Sequence, residues 1–497
     1  MTQAGSLPFA DEVRRCRAAQ LAWGQLAPSQ RVKPIRRLRG LLAEFGETLA
    51  LNVTQDIGRH ADEVLATDIL PTADACYFLQ KRAARVLRPI RVSKSTRPLW
   101  LWTASDVVHR RPHGIVGIIG TWNYPIYLNV IQIVHALAAG NGVLWKPSEL
   151  TPATSKMIFD LFVMAGFPAD LFIKLPGDRE AGPKLAEAEI DHIVFTGSAE
   201  VGRKLARRLG ERLISSTLEL SGCDAMIVMV NANIDLAVRA AWFGSTINHG
   251  QTCMAVRRVL VQEGRYQEFL GRLKVLASHS RSEPLALWVS AEQAERLVRE
   301  AIEKGAKLLC EGPTPQAEND PPRFPPTVLF DVTPEMSICQ EASFAPLLTV
   351  MPFGSLADAV KLHQACPYGL SSSIFTAYPS TAEQMAASLE VGSLIINDVI
   401  IPTAHPGTPF GGRKDSGWGV TQGDEGLLAM TVPQVVTVRS GTFRPHYDTG
   451  EASQATAELA RGMLNWSHGK GFRRCWRGLR QIIRGMRSGL GKKKSEE

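Results

Sequence analysis

Three short stretches of this 497-residue chain carry side chains that could do chemistry. Cys253 stands in Ser245-Thr246-Ile247-Asn248-His249-Gly250-Gln251-Thr252-Cys253-Met254-Ala255, among small and polar residues, just before an apolar run. That setting suits an exposed thiol, which as thiolate is a strong nucleophile; a cysteine is equally a small, buried, inert apolar residue. Glu219 lies between Leu218 and Leu220 and before Ser221-Gly222. A carboxylate there is either solvated in a cleft, paired, or raised in pKa by partial burial, as a general base would be, or it is an exposed edge glutamate. Phe195-Thr196-Gly197-Ser198 ends in a Gly-Ser turn entering Ala199-Glu200-Val201-Gly202. Backbone N–H groups and a hydroxyl at a helix start can hold a pyrophosphate, although a plain strand-to-helix turn reads the same way.

The elements that must position these groups alternate. Gly114–Gly120 reads as a buried strand, Ile126–Ala139 as a helix, Gly142–Lys146 as a strand, Pro152–Ala165 as a helix, Ile190–Phe195 as a strand and Glu200–Leu209 as a helix. Strands separated by helices of this length imply a parallel sheet with crossover helices, an α/β architecture of the kind that binds dinucleotides, here without GxGxxG. Ala225–Val230 reads as another strand, and Val256–Val261 as a strand broken by Arg257 and Arg258. The alternation continues from Ala237 to Val438, with a helix over Ala291–Gly305 and no internal repeat. Upstream, Leu38, Leu41, Leu42, Phe45 and Leu49 fall on one face of an amphipathic helix. Val92–Val108 suggests a hairpin, with a plain loop as the alternative.

Length and composition fit two or three domains of a globular protein, 45% apolar and 21% charged. The eight cysteines contain no CxxC pair, which gives neither a disulfide framework nor a zinc site and suits a reducing, cytoplasmic setting. Met1–Ala10 has no signal-peptide pattern, and no apolar run approaches the ~18 residues of a spanning helix. Of the net charge of +8, residues 459–497 supply +9, eleven Lys and Arg against two Glu, which leaves −1 for residues 1–458. The main body therefore offers no electrostatic case for nucleic acid. In the tail, Phe472, Trp476, Leu479, Ile483, Met486 and Leu490 form an apolar stripe, with Arg473, Arg474, Arg477, Arg480, Arg484 and Arg487 off it. Such a helix over residues 470–494 would suit an anionic membrane surface, weakened by Gly478, Gly485 and Gly489; a partner-binding helix or a solvated tail are the alternatives.

Six motifs, in order, give the chain from about Leu38 to Arg439 a resemblance to the NAD(P)-dependent aldehyde dehydrogenases. They are Thr121-Trp122-Asn123-Tyr124-Pro125, Lys146-Pro147-Ser148-Glu149, Phe195-Thr196-Gly197-Ser198, Glu219-Leu220-Ser221-Gly222, Gly250-Gln251-Thr252-Cys253 and Pro409-Phe410-Gly411-Gly412. The short N-terminus and Gly-Thr-Trp-Asn-Tyr-Pro resemble the branch acting on aromatic, medium-chain and fatty aldehydes. The resemblance implies that Cys253 is the nucleophile, that Asn123 and the Cys253 backbone N–H form an oxyanion hole, and that Glu219 is the base for thioester hydrolysis. It also implies that Lys146 and Glu149 contact the adenosine ribose, favouring NAD over NADP, that Trp122, Gly197 and Ser198 contact pyrophosphate, and that Val201 and Phe344 are further cofactor contacts; no metal is implied. Tyr124 is expected in the wall of the substrate tunnel. The implied organisation is a Rossmann-type cofactor domain over residues 1–91 and 105–222, a catalytic domain over 223–396, oligomerisation strands over 92–104 and 397–442 and a basic amphipathic tail over 443–497, in a homodimer or homotetramer. The expected reaction is oxidation of an apolar aldehyde, fatty, isoprenoid-like or aromatic, to its acid through a cysteine thiohemiacetal and thioester. One departure stands out: the family's Glu-x-Phe-Gly-Pro segment reads Ala342-Ser343-Phe344-Ala345-Pro346, so that the glutamate on the nicotinamide ribose is Ala342, with Glu341 one position earlier. Either Glu341 reaches the ribose or that contact is absent, and the latter motivates the alternative of a catalytically weakened, membrane-bound scaffold.

Overall fold

The computed structural model describes residues 7–278, 282–311, 321–442, 444, 447 and 451–492. They form two compact units, one of the described residues up to Leu87 with Arg111–Val432, the other of Arg88–Arg110 with the described residues from Pro433 onward.

In the first unit the N-terminal apolar period spans two helices rather than one, α1 (Pro28–Glu44) and α2 (Gly46–Ile57), with Phe45 leaving helical backbone at ψ 12° between them. Leu38, Leu42 and Leu49 nevertheless share one core. Hydrophobic spacing reports which residues face the core and is blind to a bend that keeps them facing it. The expected α/β alternation follows. Strands β1 (Ile115–Ile119), β2 (Gly142–Lys146), β3 (Phe172–Lys174), β4 (His192–Gly197) and β5 (Ser215–Leu220) lie parallel in the order β5-β4-β1-β2-β3. Helix α3 (Tyr127–Ala139) connects β1 to β2, and α4 (Ala199–Glu211) connects β4 to β5. Twelve of the thirteen α3 residues are buried, because it lies between the sheet and the N-terminal helices. That explains why its sequence carries no charged residue, and its buried polar side chains, Asn129, Gln132 and His135, each have a hydrogen bond.

A second sheet contains β6 (Asp224–Val228), β7 (Val256–Gln262), β8 (Lys307–Glu311), β9 (Thr327–Phe330), β10 (Leu347–Phe353), β11 (Ser371–Phe375) and β12 (Ser393–Ile396), in the order β8-β9-β10-β7-β6-β11-β12. It is parallel except for the β8–β9 pair. Helix α5 (Ile234–Thr246) leads from β6 toward β7, and α6 (Trp288–Glu303) precedes β8. The break expected at Arg257 and Arg258 does not occur: β7 is continuous, and both arginines are buried. Val256 pairs with Asp224 and Arg258 with Ala225, so Arg257 is the extra residue of a bulge. Its guanidinium spends its donors on backbone carbonyls of Gly250, Ser343 and Ala345, while Arg258 donates to the carbonyls of Cys223 and Leu362. A short strand β13 (Gly417–Trp418) returns to the first sheet and pairs antiparallel with β5.

The second unit contains a three-stranded sheet. Ile90–Arg91 pairs antiparallel with Ala104–Pro112, which realises the expected hairpin, and Thr431–Arg439 completes the sheet. Its C-terminal part holds two helices, α7 (Glu451–His468) and α8 (Phe472–Lys492), packed as a hairpin.

Beneath the first sheet, a π-helical turn over Leu65–Ile69 turns Asp68 into full burial beside Arg59, also fully buried. Asp68 accepts the Ile126 and Tyr127 N–H groups at the start of α3, at 3.2 and 2.8 Å. Arg59 donates to Asp68, to Thr67 Oγ1 at 2.7 Å and to the Asn123 carbonyl at 3.0 Å, and its guanidinium lies 4.5 Å from the Tyr124 ring centre. Burial disfavours the Arg59 cation, but Asp68 and Tyr124 beside it raise its pKa. Removing one partner strands the other charge in the interior, so Arg59→Ala is expected to destabilise the fold by about 3–5 kcal/mol in denaturant titration; a loss smaller than ~1 kcal/mol, the scale of a surface pair, would contradict this account.

Candidate active site

Cys253, Glu219 and Asn123 all line one cavity of about 730 Å³. Cys253 also lines a second cavity of about 250 Å³ and so stands where the two meet. Each residue arrives by a different route. Cys253 follows α5 through a turn in which Asn248, His249 and Gly250 have φ of 50°, 54° and 74°. Three successive left-handed residues, two of them not glycine, are costly backbone that the surroundings must hold in place. The surroundings are visible: Asn248 Nδ2 donates to the carbonyls of Asn123 and Gln251 at 3.0 and 3.2 Å, and Arg257 holds the Gly250 carbonyl. At Gly250 a Cβ would lie 2.4 Å from the Ala345 carbonyl carbon and oxygen, so both the φ and the space require glycine.

Glu219 is a strand residue near the end of β5, in register with Thr196 of β4 and Gly417 of β13. The glycine-rich stretch after Pro409 therefore folds back on the strand that carries the carboxylate. Gly417, at φ 98°, has room for no Cβ, which would fall 2.0 Å from the Leu218 carbonyl oxygen. At Gly222 a Cβ would approach the Cys253 carbonyl oxygen to 2.7 Å. The turn after Glu219 is thus packed directly on the backbone of Cys253, which joins two motifs thirty residues apart. Asn123 enters from the β1–α3 connection. Its Oδ1 accepts from Thr121 Oγ1 at 2.8 Å and its Nδ2 donates to the Gln251 carbonyl at 3.0 Å. Those partners fix the amide orientation and leave one N–H of Nδ2 for a ligand.

Electrostatics set the resting state. The thiol expected to be exposed is only half-buried by surface, yet its surroundings push its pKa up to about 12, through burial first and the neighbouring Asp224 and Glu219 charges next. Both Glu219 carboxylate oxygens are buried without a protein partner, and desolvation raises its pKa well above the ordinary carboxylate value. A buried, unpaired carboxyl open to a cavity is the arrangement of a general base.

The larger cavity fits a dinucleotide. At one end Gly197 and Ser198 stand at the start of the 13-residue helix α4, with Ser198 Oγ accepting the Val201 N–H at 3.3 Å. The first N–H groups of such a helix have no intrahelical partner and favour an anion. Lys146, Glu149 and Val201 also line the cavity. Glu149 receives Lys146 Nζ at 3.2 Å and Arg179 Nε at 3.1 Å, an arginine that the sequence motifs did not single out. Trp122 and Phe344 meet edge-on across it, with ring centres 5.8 Å apart. Ala342 lines the cavity, whereas Glu341 turns to Arg296 on α6 and forms an ion pair there. Glu341 Oε2 also accepts from Gln293 Nε2 at 3.5 Å, so in this structure its carboxylate is engaged with α6 and does not line the cavity. Gln293, also on α6, lines the cavity beside Ala342 and donates to its carbonyl at 3.1 Å; no sequence motif pointed to it. Tyr124, expected in a tunnel wall, lines the smaller cavity with its hydroxyl 2.7 Å from Thr252 Oγ1.

A raised carboxyl pKa has a stability consequence of definite sign. Folded Glu219 retains its proton where an unfolded glutamate has lost it, so its contribution is fully present below the ordinary carboxylate pKa and is lost as pH rises through the raised value. Glu219→Gln is expected to become progressively more heat-stable than the parent as pH increases. Alkylation of Cys253 by iodoacetamide, followed by peptide mass spectrometry, is expected to require strongly alkaline pH, with the profile displaced downward in Glu219→Gln. A parent profile centred at the ordinary thiol pKa, or one unmoved by the substitution, would contradict this electrostatic picture.

Comparison with known proteins agrees with this geometry. Residues 2–436 match the model of the aldehyde dehydrogenase family. The chain is 36% identical to a 4,4'-diapolycopene aldehyde oxidase of Methylomonas sp., over 85% of this chain and 80% of that protein. It is 32% identical to a betaine aldehyde dehydrogenase of Rhizobium leguminosarum, over 82% and 84%. A crystal structure of the Mycobacterium tuberculosis aldehyde dehydrogenase complexed with NAD+ superposes with a TM-score of 0.81 at 29% identity, covering 87% of this chain and 90% of that one. With its two mainly parallel sheets and a cysteine, a glutamate and an asparagine gathered at one cavity, the chain belongs to the aldehyde dehydrogenase family.

Proposed function

We propose that this dehydrogenase oxidises an apolar aldehyde, fatty, isoprenoid-like or aromatic, to the carboxylic acid with NAD or NADP. The observation that carries the substrate class is the smaller cavity, which reaches Cys253 between Leu70, Pro71, Met254, Ile400, Ile401 and Phe410. The names of relatives do not decide it, since one is named for a carotenoid-like aldehyde and another for the cationic betaine aldehyde. Tyr127 OH and Gln422 Oε1, both buried and without a protein partner, belong to residues of this same cavity.

In the proposed mechanism Cys253, deprotonated with the help of Glu219, attacks the carbonyl carbon, and the oxyanion is held by the free N–H of Asn123 Nδ2 and the Cys253 backbone N–H. Bound NAD(P) supplies the hydride acceptor. Glu219 then takes a proton from the water that hydrolyses the thioester, a role its unpartnered oxygens suit. Trp122, Lys146, Glu149, Gly197, Ser198, Val201 and Phe344 are the proposed cofactor contacts, with Arg179 added. Because Arg179 and Lys146 both neutralise Glu149, repulsion of a ribose 2′-phosphate is weaker than the sequence alone implies. Gln293 is proposed to supply the polar contact that Ala342 lacks. A homo-oligomer formed through the Thr431–Arg439 strand suits its exposed Val432, Val435, Val436 and Val438 at a sheet edge. The basic tail is proposed to hold the enzyme at an anionic membrane surface, where apolar aldehydes dissolve.

Cys253→Ser is expected to abolish aldehyde-dependent NADH formation, and Glu219→Gln to lower steady-state turnover by about 10²–10⁴-fold while leaving a burst of one equivalent per site. A cofactor-supplied parent inert toward long-chain and aromatic aldehydes would sink this reading in favour of a catalytically weakened scaffold. Gln293→Ala is expected to raise KM for the cofactor with little change in KM for the aldehyde; the reverse pattern would remove Gln293 from the cofactor site.

A further inference from the structure

The C-terminal hairpin has a geometry that its sequence alone concealed. Gly478, expected to weaken a lone helix, is instead where α8 meets α7: a Cβ there would lie 2.5 Å from the Trp466 nitrogen and 2.7 Å from the Gly462 carbonyl oxygen. At Gly462 a Cβ would lie 2.7 Å from the Ile482 nitrogen. Both glycines and Gly485 are buried. Asn465 Nδ2 donates to Gln481 Oε1 at 3.0 Å, and Arg474 Nε donates to Asn465 Oδ1 at 3.1 Å, so the two helices are tied by polar bonds beside the seam. The contact between helices thus uses glycine, with Ile482 against Gly462, and leaves Phe472, Trp476, Ile483 and Met486 exposed. Phe472, Trp476, Ile483 and Met486, spaced to share one stripe of α8, are 78%, 48%, 44% and 46% exposed. Around the helix that stripe lies between the glycine seam and an arc of Arg473, Arg477, Arg480 and Arg484, with the Arg480 guanidinium 5.5 Å from the Trp476 ring centre. From Phe472 to Lys492 there are seven Lys and Arg and no Asp or Glu. Among the described residues no helix is long and apolar enough to cross a membrane.

We propose that this hairpin is an in-plane docking element for an anionic lipid surface, in which the α8 stripe enters the headgroup boundary and the adjacent arginines bind lipid phosphates. This deepens the proposed surface association of the tail. Charge complementarity selects the occupant: a stripe bordered by Arg473, Arg477 and Arg480, on a helix whose sequence carries no Asp or Glu, is matched by a surface that is apolar below and anionic above. The glycine seam lets one short, strongly basic helix be held without using its aromatic side chains for folding.

Full-length protein is tested by co-sedimentation with phosphatidylcholine vesicles containing or lacking phosphatidylserine, and turnover of a water-soluble aldehyde is read in the same samples. Binding is expected only with phosphatidylserine and is expected to fall with salt. Replacing Arg477, Arg480 and Arg484 together by Gln is expected to weaken it by roughly 10²-fold, about a factor of five for each charge at the surface. Phe472→Ser combined with Trp476→Ser is expected to weaken it by at least ~10-fold while circular dichroism remains unchanged. Retained binding in both sets of variants would overturn the docking role even if truncation before Glu451 abolishes sedimentation, since the wider tail reading would then survive alone. Sedimentation without phosphatidylserine, or concentration-dependent self-association removed by the same substitutions, would assign the stripe to a second copy of the chain and overturn the proposal. Loss of aldehyde turnover with binding intact would instead count only against the catalytic reading.

Discussion

The buried pair of Arg59 and Asp68 is the constraint on which the site rests. Asp68 accepts the first N–H groups of the helix that follows the Asn123 turn, and Arg59 holds the carbonyl of Asn123 itself and faces the ring of Tyr124. One ion pair therefore determines where Asn123, the proposed oxyanion donor, stands and where the Tyr124 wall of the smaller cavity lies. Two charges removed from water are tolerated only when nearly every donor and acceptor finds a partner, and here most of those partners are backbone groups of the site. Stability and catalytic geometry share the same bonds.

Arg257 plays the matching part on the opposite side. As the extra residue of a bulge it directs its guanidinium to the carbonyls before Cys253 and after Ala342, so the nucleophile turn and the segment at the cofactor cleft are fixed to one side chain. Three left-handed residues in succession can persist before Cys253 because each is held from outside the turn. Close contacts of glycine complete the assembly. Gly222 against the Cys253 carbonyl and Gly417 against Leu218 bring backbone within distances that no side chain would permit. The same close packing raises the pKa of both the Glu219 carboxyl and the Cys253 thiol, in each case through burial first.

At Ala342 the larger cavity departs from the family pattern, and a helix amide lies beside the departure. Glu341 is engaged with Arg296, and the cleft beside Ala342 is instead lined by the amide of Gln293, a neutral group that can both donate and accept. At the other end Arg179 and Lys146 share Glu149, which softens the charge that a ribose would meet.

By itself the sequence determined the alternating α/β architecture and the strands at β1, β2, β4, β6 and β7, and its motifs pointed to Cys253, Glu219 and Asn123, which the structure gathers at one cavity, because apolar period and motif composition are local properties. Lys146, Glu149, Gly197 and Ser198, singled out by motifs in the same way, line that cavity too. Only the tertiary structure decided that Arg257 lies in a bulge rather than breaking β7, that the helix carrying Leu38 bends at Phe45, and that Glu341 pairs with Arg296. Each depends on a partner distant in sequence, and one residue's register reverses the direction of a side chain. Arg59, Asp68 and Gln293 carry no motif at all, since a buried ion pair or a lone amide is defined by what surrounds it. The tail gives the clearest contrast: its arginines and aromatic stripe were visible as spacing, but the glycines that looked like a weakness became, once α7 lay against them, the surface on which α8 packs.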